Sequence, residues 1–442
     1  MLHMTKVVKF GGSSLASAEQ FKKVKEIITA EESRRFVVPS APGKRYSGDT
    51  KVTDMLYGCY DLAVKGKDFA DEFEAIKQRY YGIIEELGLE LSLEDEFNNI
   101  KACFIGKAGR DYAASRGEYL NGIVLANYLG YNFIDSADVI FFNDQGQFDG
   151  AKTNEILSAK LENMENAVVP GFYGSMPNDT IKTFSRGGSD VTGSIVAAAV
   201  NADLYENWTD VSGFLICDPR IVDDPKPITT ITYKELRELS YMGATVLHED
   251  AIFPVRKAGI PINIKNTNAP EDVGTMIVES TSQKPAYTIT GIAGKKGFTV
   301  INIEKDMMNA EIGFGRRVLE VFEKNGICFE HMPSGIDTMS VVVHQEEFAE
   351  KEQEILAGIH RNCHPDSIDI ETDLALIAVV GRAMKSNRGT AGRIFSALAH
   401  AHVNVKMIDQ GSSELNIIIG VSESDFASAT KAIYEIFVDT QL

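Results

Sequence analysis

Cysteine is sparse in this chain, and its spacing removes two classes of protein at once. The five in 442 residues (Cys59, Cys103, Cys217, Cys328 and Cys363) are odd in number, far apart and free of any Cys-x-x-Cys. That excludes a disulfide framework and a structural zinc site and leaves buried thiols. Long apolar runs are missing as well. No stretch approaches the roughly 18 residues that a bilayer span needs, and the N-terminal Met1-Leu-His-Met-Thr-Lys6 has no signal-peptide core. The expectation is a cytoplasmic protein with no membrane partner. Basic residues are outnumbered, 44 Lys and Arg against 63 Asp and Glu, for a net charge of −19. A nucleic-acid partner is excluded, because phosphate backbones would be repelled over most of the surface.

What is present is a globular composition, 44% hydrophobic and 24% charged, on a length that calls for two or three domains with separate cores. A small anionic ligand is compatible with the acidic balance only where a few cations and helix N-termini gather at one cleft. The Lys and Arg beside glycines therefore carry the interest.

Residues 5–10 (Thr-Lys-Val-Val-Lys-Phe) read as a strand, followed by Gly11-Gly12-Ser13-Ser14 and a helix that Ser17 caps, with Gln20 at the capping-box position. Phe21, Val24, Ile27 and Ile28 share one face of that helix. Further strands are expected at 36–38, 134, 139–142, 168–169 and 260–264, and helices around 53–65, 68–87, 118–129, 191–201 and 233–247. The alternation predicts an α/β domain with a mainly parallel sheet flanked by helices and ligands outside the carboxyl ends of the strands. After about residue 285 an internal repeat appears. Laying Arg317-Val-Leu-Glu-Val-Phe322 over Arg393-Ile-Phe-Ser-Ala-Leu398 also lays Ile327 and Phe329 over Val403 and Val405, and Gly335 over Gly411, without a gap. Each unit reads strand, glycine loop, helix, strand, turn, strand, helix, an α+β unit.

Two glycine turns carry the chemistry. In Phe184–Thr192, Arg186 precedes Gly187-Gly188, and Ser189 or Asp190 can cap the Ala/Val-rich helix that follows; glycines, a cation and a helix N-terminus suit an anion. In the first turn Lys9 ends a strand directly before Gly11-Gly12, so its ammonium and the loop amides can face one phosphate. That pattern suits phosphoryl transfer, which needs positioning and charge neutralisation more than covalent help. A P-loop is absent, since no Gly-Lys pair is followed by Ser or Thr, and Gly313-Phe-Gly315 lacks the third glycine of a dinucleotide fingerprint.

Lys9-Phe-Gly-Gly-Ser-Ser14, Ser115-Arg-Gly-Glu118, Phe184–Thr192, Trp208-Thr-Asp-Val211 with Asp218-Pro-Arg220, and Gly243-Ala-Thr-Val-Leu-His248 together resemble aspartate kinase of the amino-acid kinase fold, and the two repeats resemble its paired ACT (ferredoxin-like) regulatory domains. The resemblance covers nearly the whole chain. It implies a catalytic domain over 1–285 and ACT domains over 286–362 and 363–442, one inserted in the other so that Ala286–Ile292 pairs with the second. It also implies ATP and Mg²⁺ as cofactors and L-aspartate as substrate. Lys9 would stabilise the γ-phosphoryl group, Gly11, Gly12 and Ser13 would wrap the phosphates, and Arg186 would clamp the α-carboxylate with its two-pronged guanidinium. Glu118 would take the α-ammonium, Thr53 and Ser189 the remaining oxygens, and Asp190 would align Lys9 or the substrate ammonium. Thr209, Asp210 and Arg220 match positions around the nucleotide, with no metal site built from protein alone.

The chain departs from many relatives at Thr245, where they carry Lys, and at Leu215, where they often carry Tyr. Either Arg220, Lys226 or Lys265 compensates for the lost charge, or turnover is weaker; the alternative functions are a catalytically weakened amino-acid sensor or a kinase for another acidic amino acid. In the first ACT-like unit the resemblance implies an effector lining of Met308, Gly313, Phe314, Glu330, Ser334 and Asp337. The carboxylates of Glu330 and Asp337 favour lysine over threonine as inhibitor, acting through homodimers or homotetramers joined by ACT contacts.

Overall fold

Lys6–Phe10 (β1) forms a strand because its side chains are apolar or paired inside the sheet: Val7, Val8 and Phe10 are fully buried, Lys6 pairs with buried Glu206 at 3.2 Å, and Lys9 is buried with its charge inward. The computed structural model describes residues 4–440 except 186, 245, 246 and 248. They divide into two compact units, neither continuous in sequence. The first comprises the chain to Phe214 with Pro227–Tyr233 and residues 245–281; the second comprises Leu215–Lys226, Lys234–Ala244 and the chain from Ser282.

The first unit is built on an eight-stranded sheet. Its strands are β1, Arg34–Pro39 (β2), Asn132–Phe133 (β3), Ala167–Val168 (β4), Leu204–Thr209 (β7), Thr230–Thr232 (β8), Ile262–Asn266 (β9) and Thr275–Val278 (β10), with a separate hairpin of Tyr173–Ser175 (β5) and Ile181–Thr183 (β6). The order is β3-β4-β2-β1-β7-β9-β10-β8, and every pair is parallel except β9 with β10. The helices are Ala18–Thr29 (α1), Val52–Val64 (α2), Ala70–Glu86 (α3), Glu94–Ile105 (α4), Arg110–Leu129 (α5), Gly150–Leu161 (α6), Gly188–Ala199 (α7), Tyr233–Tyr241 (α8) and Phe253–Ala258 (α9). All of α8 beyond Tyr233 counts with the second unit. As its spacing predicts, α1 starts at Ser17, whose hydroxyl accepts from the Gln20 N–H, and buries Phe21, Val24, Ile27 and Ile28. An aromatic core of Phe73, Phe97 and Phe104 in edge-to-face contact underlies α3 and α4.

The structure differs from the sequence reading in several elements, among them the unforeseen strands β5, β6, β7, β8 and β10. Helices α4, α6 and α9 are additional, α6 being started by Asp149, whose carboxylate accepts from the Lys152 N–H. The strand expected at 139–142 is instead a short turn, Ser136–Asp138, followed by two isolated bridges, Phe141 to Ser175 and Phe142 to Phe148. The helix after the second glycine turn begins at Gly188, so Ser189 and Asp190 lie inside its first turn and neither caps it. Gly187 occupies the N-cap with φ of +55°, in the left-handed region, and Gly188 passes so close to Phe172 that a Cβ there would meet the ring at 2.1 Å.

The second unit is a five-stranded antiparallel sheet ordered Thr338–His344 (β12), Gly291–Glu304 (β11), Ser367–Val380 (β13), Asn416–Ser422 (β15) and Met407–Asp409 (β14). Helices Phe314–Lys324 (α10), Gln345–Ala349 (α11), Glu352–Cys363 (α12), Thr390–His400 (α13) and Phe426–Tyr434 (α14) accompany it. One long strand serves both repeats. Gly291–Lys296 of β11 pairs with Ala375–Val380, and beyond the bulge at Gly297 its Phe298–Glu304 half lies between β12 and the first half of β13. The strands expected at Ile327–Phe329 and Val403–Val405 do not form. Their partners come slightly later in sequence, as isolated bridges at His331 and Ser334 and as β14.

Two glycines in different loops of the first unit meet backbone to backbone. Gly43 donates its N–H to the Gly12 carbonyl at 2.8 Å, and a Cβ on Gly43 would stand 2.5 Å from the Gly12 carbonyl carbon. Gly43→Ala is expected to cost roughly 1–3 kcal/mol of stability, checked by denaturant unfolding; a change below about 0.5 kcal/mol contradicts the packing.

Candidate active site

The carboxyl end of β1 delivers Lys9 to a small buried polar group. Its Nζ stands 2.6 Å from Asp190 Oδ1, in the first turn of α7. The same Nζ donates to Asn207 Oδ1 at 3.3 Å, and Asn207 Nδ2 donates to Asp190 Oδ1 at 2.8 Å. Asn207 is missing from the sequence-based set. Its signal is topological: β7 lies parallel to β1 in a register that sets Asn207 opposite Lys9.

Beyond Lys9 the carboxyl edge opens into a cleft of about 590 Å³ whose lining includes Gly11, Gly12, Ser13, Thr53, Glu118, Thr209 and Asp210, seven of the sequence-selected residues. The Ser40–Gly43 loop, which the sequence reading passed over, forms another wall with Lys44 and Lys51. Buried Arg79 of α3 pins this wall in place. It donates to the carbonyls of Gly43 and Ala16 and pairs with Asp49 at 2.7 Å, and Arg45 and Arg79 together hold the Asp49 carboxyl well below the usual carboxylate range. The Gly11 N–H is already bonded to the Trp208 carbonyl at 2.9 Å. It is Gly12 and Ser13, at the start of the Gly12–Leu15 turn, whose amides stand at an open helical end. Ser189 is buried against Gly171.

Glu118 is the unusual member. It is buried in α5, and its Oε2 has no hydrogen-bond partner among the described residues. Removal from water pushes its carboxyl up to about 8, against an opposing hydrogen bond from the backbone of Ala41. Arg116, two residues before it, is held among the rings of Tyr112, Tyr119 and Tyr173 at 4.4–5.2 Å.

Leu215 and Arg220 belong to the second unit, where Arg220 is largely exposed and forks onto Asp218 at 2.6 Å. Arg186 and Thr245 lie outside the described residues. Met308, Gly313 and Phe314 form the approach to α10, with Gly313 at its N-cap. Asp337 joins them, its Oδ1 accepting from the Met307 N–H at 3.0 Å and its carbonyl from the Lys305 N–H. Ser334 donates only to the Met332 carbonyl. Glu330 is engaged elsewhere: Tyr241 Oη donates to its Oε2 at 2.7 Å, and His344 Nε2 approaches its Oε1 at 3.2 Å.

A model of the amino acid kinase family matches residues 4–266, and an ACT domain model matches residues 377–437. Aspartokinase 3 of Bacillus subtilis is 41% identical, with 98% of each chain covered. The chain belongs to the aspartokinases. The crystal structure of Clostridium acetobutylicum aspartate kinase superposes on this aspartokinase with a TM-score of 0.93 at 55% identity, covering 98% of this chain and 100% of that one. Escherichia coli aspartokinase III, in complex with aspartate and ADP, shares the fold with a TM-score of 0.74 at 23% identity, covering 98% and 99%. The parallel kinase sheet and the antiparallel sheet of the second unit thus match the fold class read from the sequence. No helix among the described residues of the aspartokinase is long and apolar enough to cross a membrane.

Glu118 makes the aspartokinase's stability depend on pH in a definite direction. Its folded carboxyl titrates about 8, above the ordinary 4.5. The folded state therefore holds a proton that the unfolded state releases between those values, and the corresponding stability, full below 4.5, is lost as pH rises through 8. Glu118→Gln carries no such penalty. Its melting temperature is expected to gain on the parent by roughly 5 °C or more between pH 5 and pH 9; parallel pH profiles in thermal melts would refute the assignment.

Proposed function

We propose that this aspartokinase transfers the γ-phosphoryl group of ATP to the β-carboxylate of L-aspartate, forming 4-phospho-L-aspartate for lysine, threonine and methionine synthesis in the cytoplasm. The observation that carries the reading is the shared cleft. Open loop amides together with Lys44 and Lys51, suited to a polyphosphate, line it beside a buried carboxyl whose Oε2 has no hydrogen-bond partner among the described residues, and the strand-end Lys9 stands just behind Gly11.

In this reading Lys9 neutralises charge on the phosphoryl group in flight, and Gly12 and Ser13 donate to the phosphates with Gly11 shaping the turn. Thr209 and Asp210 border the nucleotide. The substrate ammonium supplies the counter-charge that Glu118 lacks, so the acid sheds its proton as aspartate seats. Thr53 and Ser189 hold substrate oxygens, and Arg186 clamps the α-carboxylate. The β-carboxylate, ionised at neutral pH, attacks in line without a strong general base. No cluster of three ligating side chains occurs among the described residues; Asp210, which lines the cleft, would help hold a Mg²⁺ that arrives with the nucleotide, and the ion would supply neutralisation of phosphate charge. Aspartate-dependent ADP release measures the reaction. Lys9→Ala is expected to lower kcat on the order of a thousandfold, and an intact chain that releases no ADP with aspartate would end the reading.

The domains follow as a catalytic region over 1–285 and two ACT-like units over 286–362 and 363–442, with Gly291–Lys296 of β11 joining the second sheet half. The Clostridium relative is described as allosteric, and feedback control by lysine, in a homodimer or homotetramer, is the reading adopted here. Glu330 is the acceptor for the effector's ammonium, in competition with Tyr241. Tyr241→Phe removes that competitor and is expected to lower the lysine concentration for half-inhibition roughly threefold or more. An unchanged or raised value in inhibition curves argues against Glu330 as the acceptor.

A further inference from the structure

Lys9 and Asp190 pose a chemical problem that their own geometry does not solve. An ammonium 2.6 Å from a carboxylate is free to swivel around it, since a lysine offers three equivalent N–H donors on a flexible stem. A cation meant to meet a transferring phosphoryl group needs a fixed direction. Asn207 supplies the missing constraint. It is 3% exposed and sits on β7 directly opposite Lys9. Its amide orientation follows from its neighbours: an ammonium only donates and a carboxylate only accepts, so Oδ1 must face Lys9 and Nδ2 must face Asp190, as observed at 3.3 and 2.8 Å. A carboxamide does both. Leucine, of the same shape, does neither, and aspartate can only accept.

We propose that Asn207 is a positioning residue for phosphoryl transfer, bridging Lys9 and Asp190 so that two of the three lysine N–H groups are held and the third is aimed along the cleft edge past Gly11. The Nζ lies 3.7 Å from where a Gly11 Cβ would stand, and Gly11 lines the cleft. Asp190 is fixed from its other side as well. Its carbonyl accepts from Tyr205 Oη at 3.2 Å, on the same strand as Asn207. That bond anchors the main chain that carries the carboxylate, and the Asn207 amide holds the carboxylate itself. The inference rests on Lys9 as the cation that meets the γ-phosphoryl group.

The test is a cycle on the full chain with Asn207→Leu, Lys9→Ala and the double variant, read as kcat and KM for aspartate and for ATP. Asn207→Leu is expected to lower kcat tenfold to a hundredfold with KM for aspartate within about twofold. In the Lys9→Ala background the same change is expected to lower kcat by less than about twofold, because a residue that acts through Lys9 has nothing left to direct. Equal losses in both backgrounds would mean a merely structural role and overturn the proposal. So would an Asn207→Leu enzyme with parental kcat. If Lys9→Ala itself keeps parental kcat, the reading of Lys9 fails first, an outcome distinct from the other two. Asn207→Asp serves where the leucine variant does not fold, its shape being nearly that of asparagine. Its second carboxylate faces Asp190, so kcat is expected to fall above neutral pH and to recover on acidification as the facing pair takes up a proton. A pH profile parallel to the parent's would overturn the proposal.

Discussion

A lysine ammonium set inside the carboxyl edge of a parallel sheet is the constraint around which the first unit is arranged. Burying such a cation alone costs several kcal/mol, and a partner carboxylate offsets this only when its remaining lone pairs are also bonded. Both conditions are met by neighbours in the topology rather than in the sequence. The first turn of α7 supplies Asp190, and β7, adjacent and parallel to β1, supplies Asn207 in register. The apolar alternation of β1 (Val8, Phe10) then packs the opposite face, where Trp208 stacks on Phe10 with centroids 6.0 Å apart. Fold and charge placement are one problem here, because a shift of β7 by one residue would replace Asn207 with Glu206 or Trp208 opposite the lysine.

The cleft next to that lysine inverts the character of the molecule. A chain with net charge −19 repels a polyphosphate over most of its surface, and Lys44 and Lys51 gather with the open amides of Gly12 and Ser13 at one edge. Two carboxyls of the first unit sit in contrasting surroundings. Asp190 is ion-paired with Lys9. Glu118 has no such cation, and desolvation keeps its proton on to about 8. An acid made uncomfortable in this way favours any ligand that brings a positive charge to it, which is a form of specificity that an exposed glutamate could not provide.

Much of this was legible in the sequence where a local rule decides the structure. The Ser17 cap, the apolar face of α1 and the glycine turn after β1 follow from motifs with short-range causes, whereas Thr53, Glu118, Thr209 and Asp210 were picked out only by the family resemblance and meet through the fold. What was not legible depends on long-range pairing. Arg79 has no distinguishing neighbours in sequence and Asn207 stands just outside the Trp208–Val211 motif, and their roles appear only once strand register and helix packing are known. The roles expected of Ser189 and Asp190 as caps failed because a glycine can take the left-handed N-cap itself and start the helix earlier. Ile327–Phe329 looked like a strand by hydrophobicity, yet the edge of β12 is met instead by His331 and Ser334.

Glu330 shows why the second unit is more than an appended sensor. Its carboxylate holds Tyr241, the last residue of α8, while buried Glu235 of the same helix binds Arg382 at 3.0 Å and the Thr290 hydroxyl at 2.6 Å. Helix α8 is thus tied at both ends within the second unit. Its chain, however, belongs to the first unit immediately before, at Tyr233, and again from residue 245. Any ligand that competes for Glu330 alters the restraint on a helix whose two peptide connections run straight into kinase sequence.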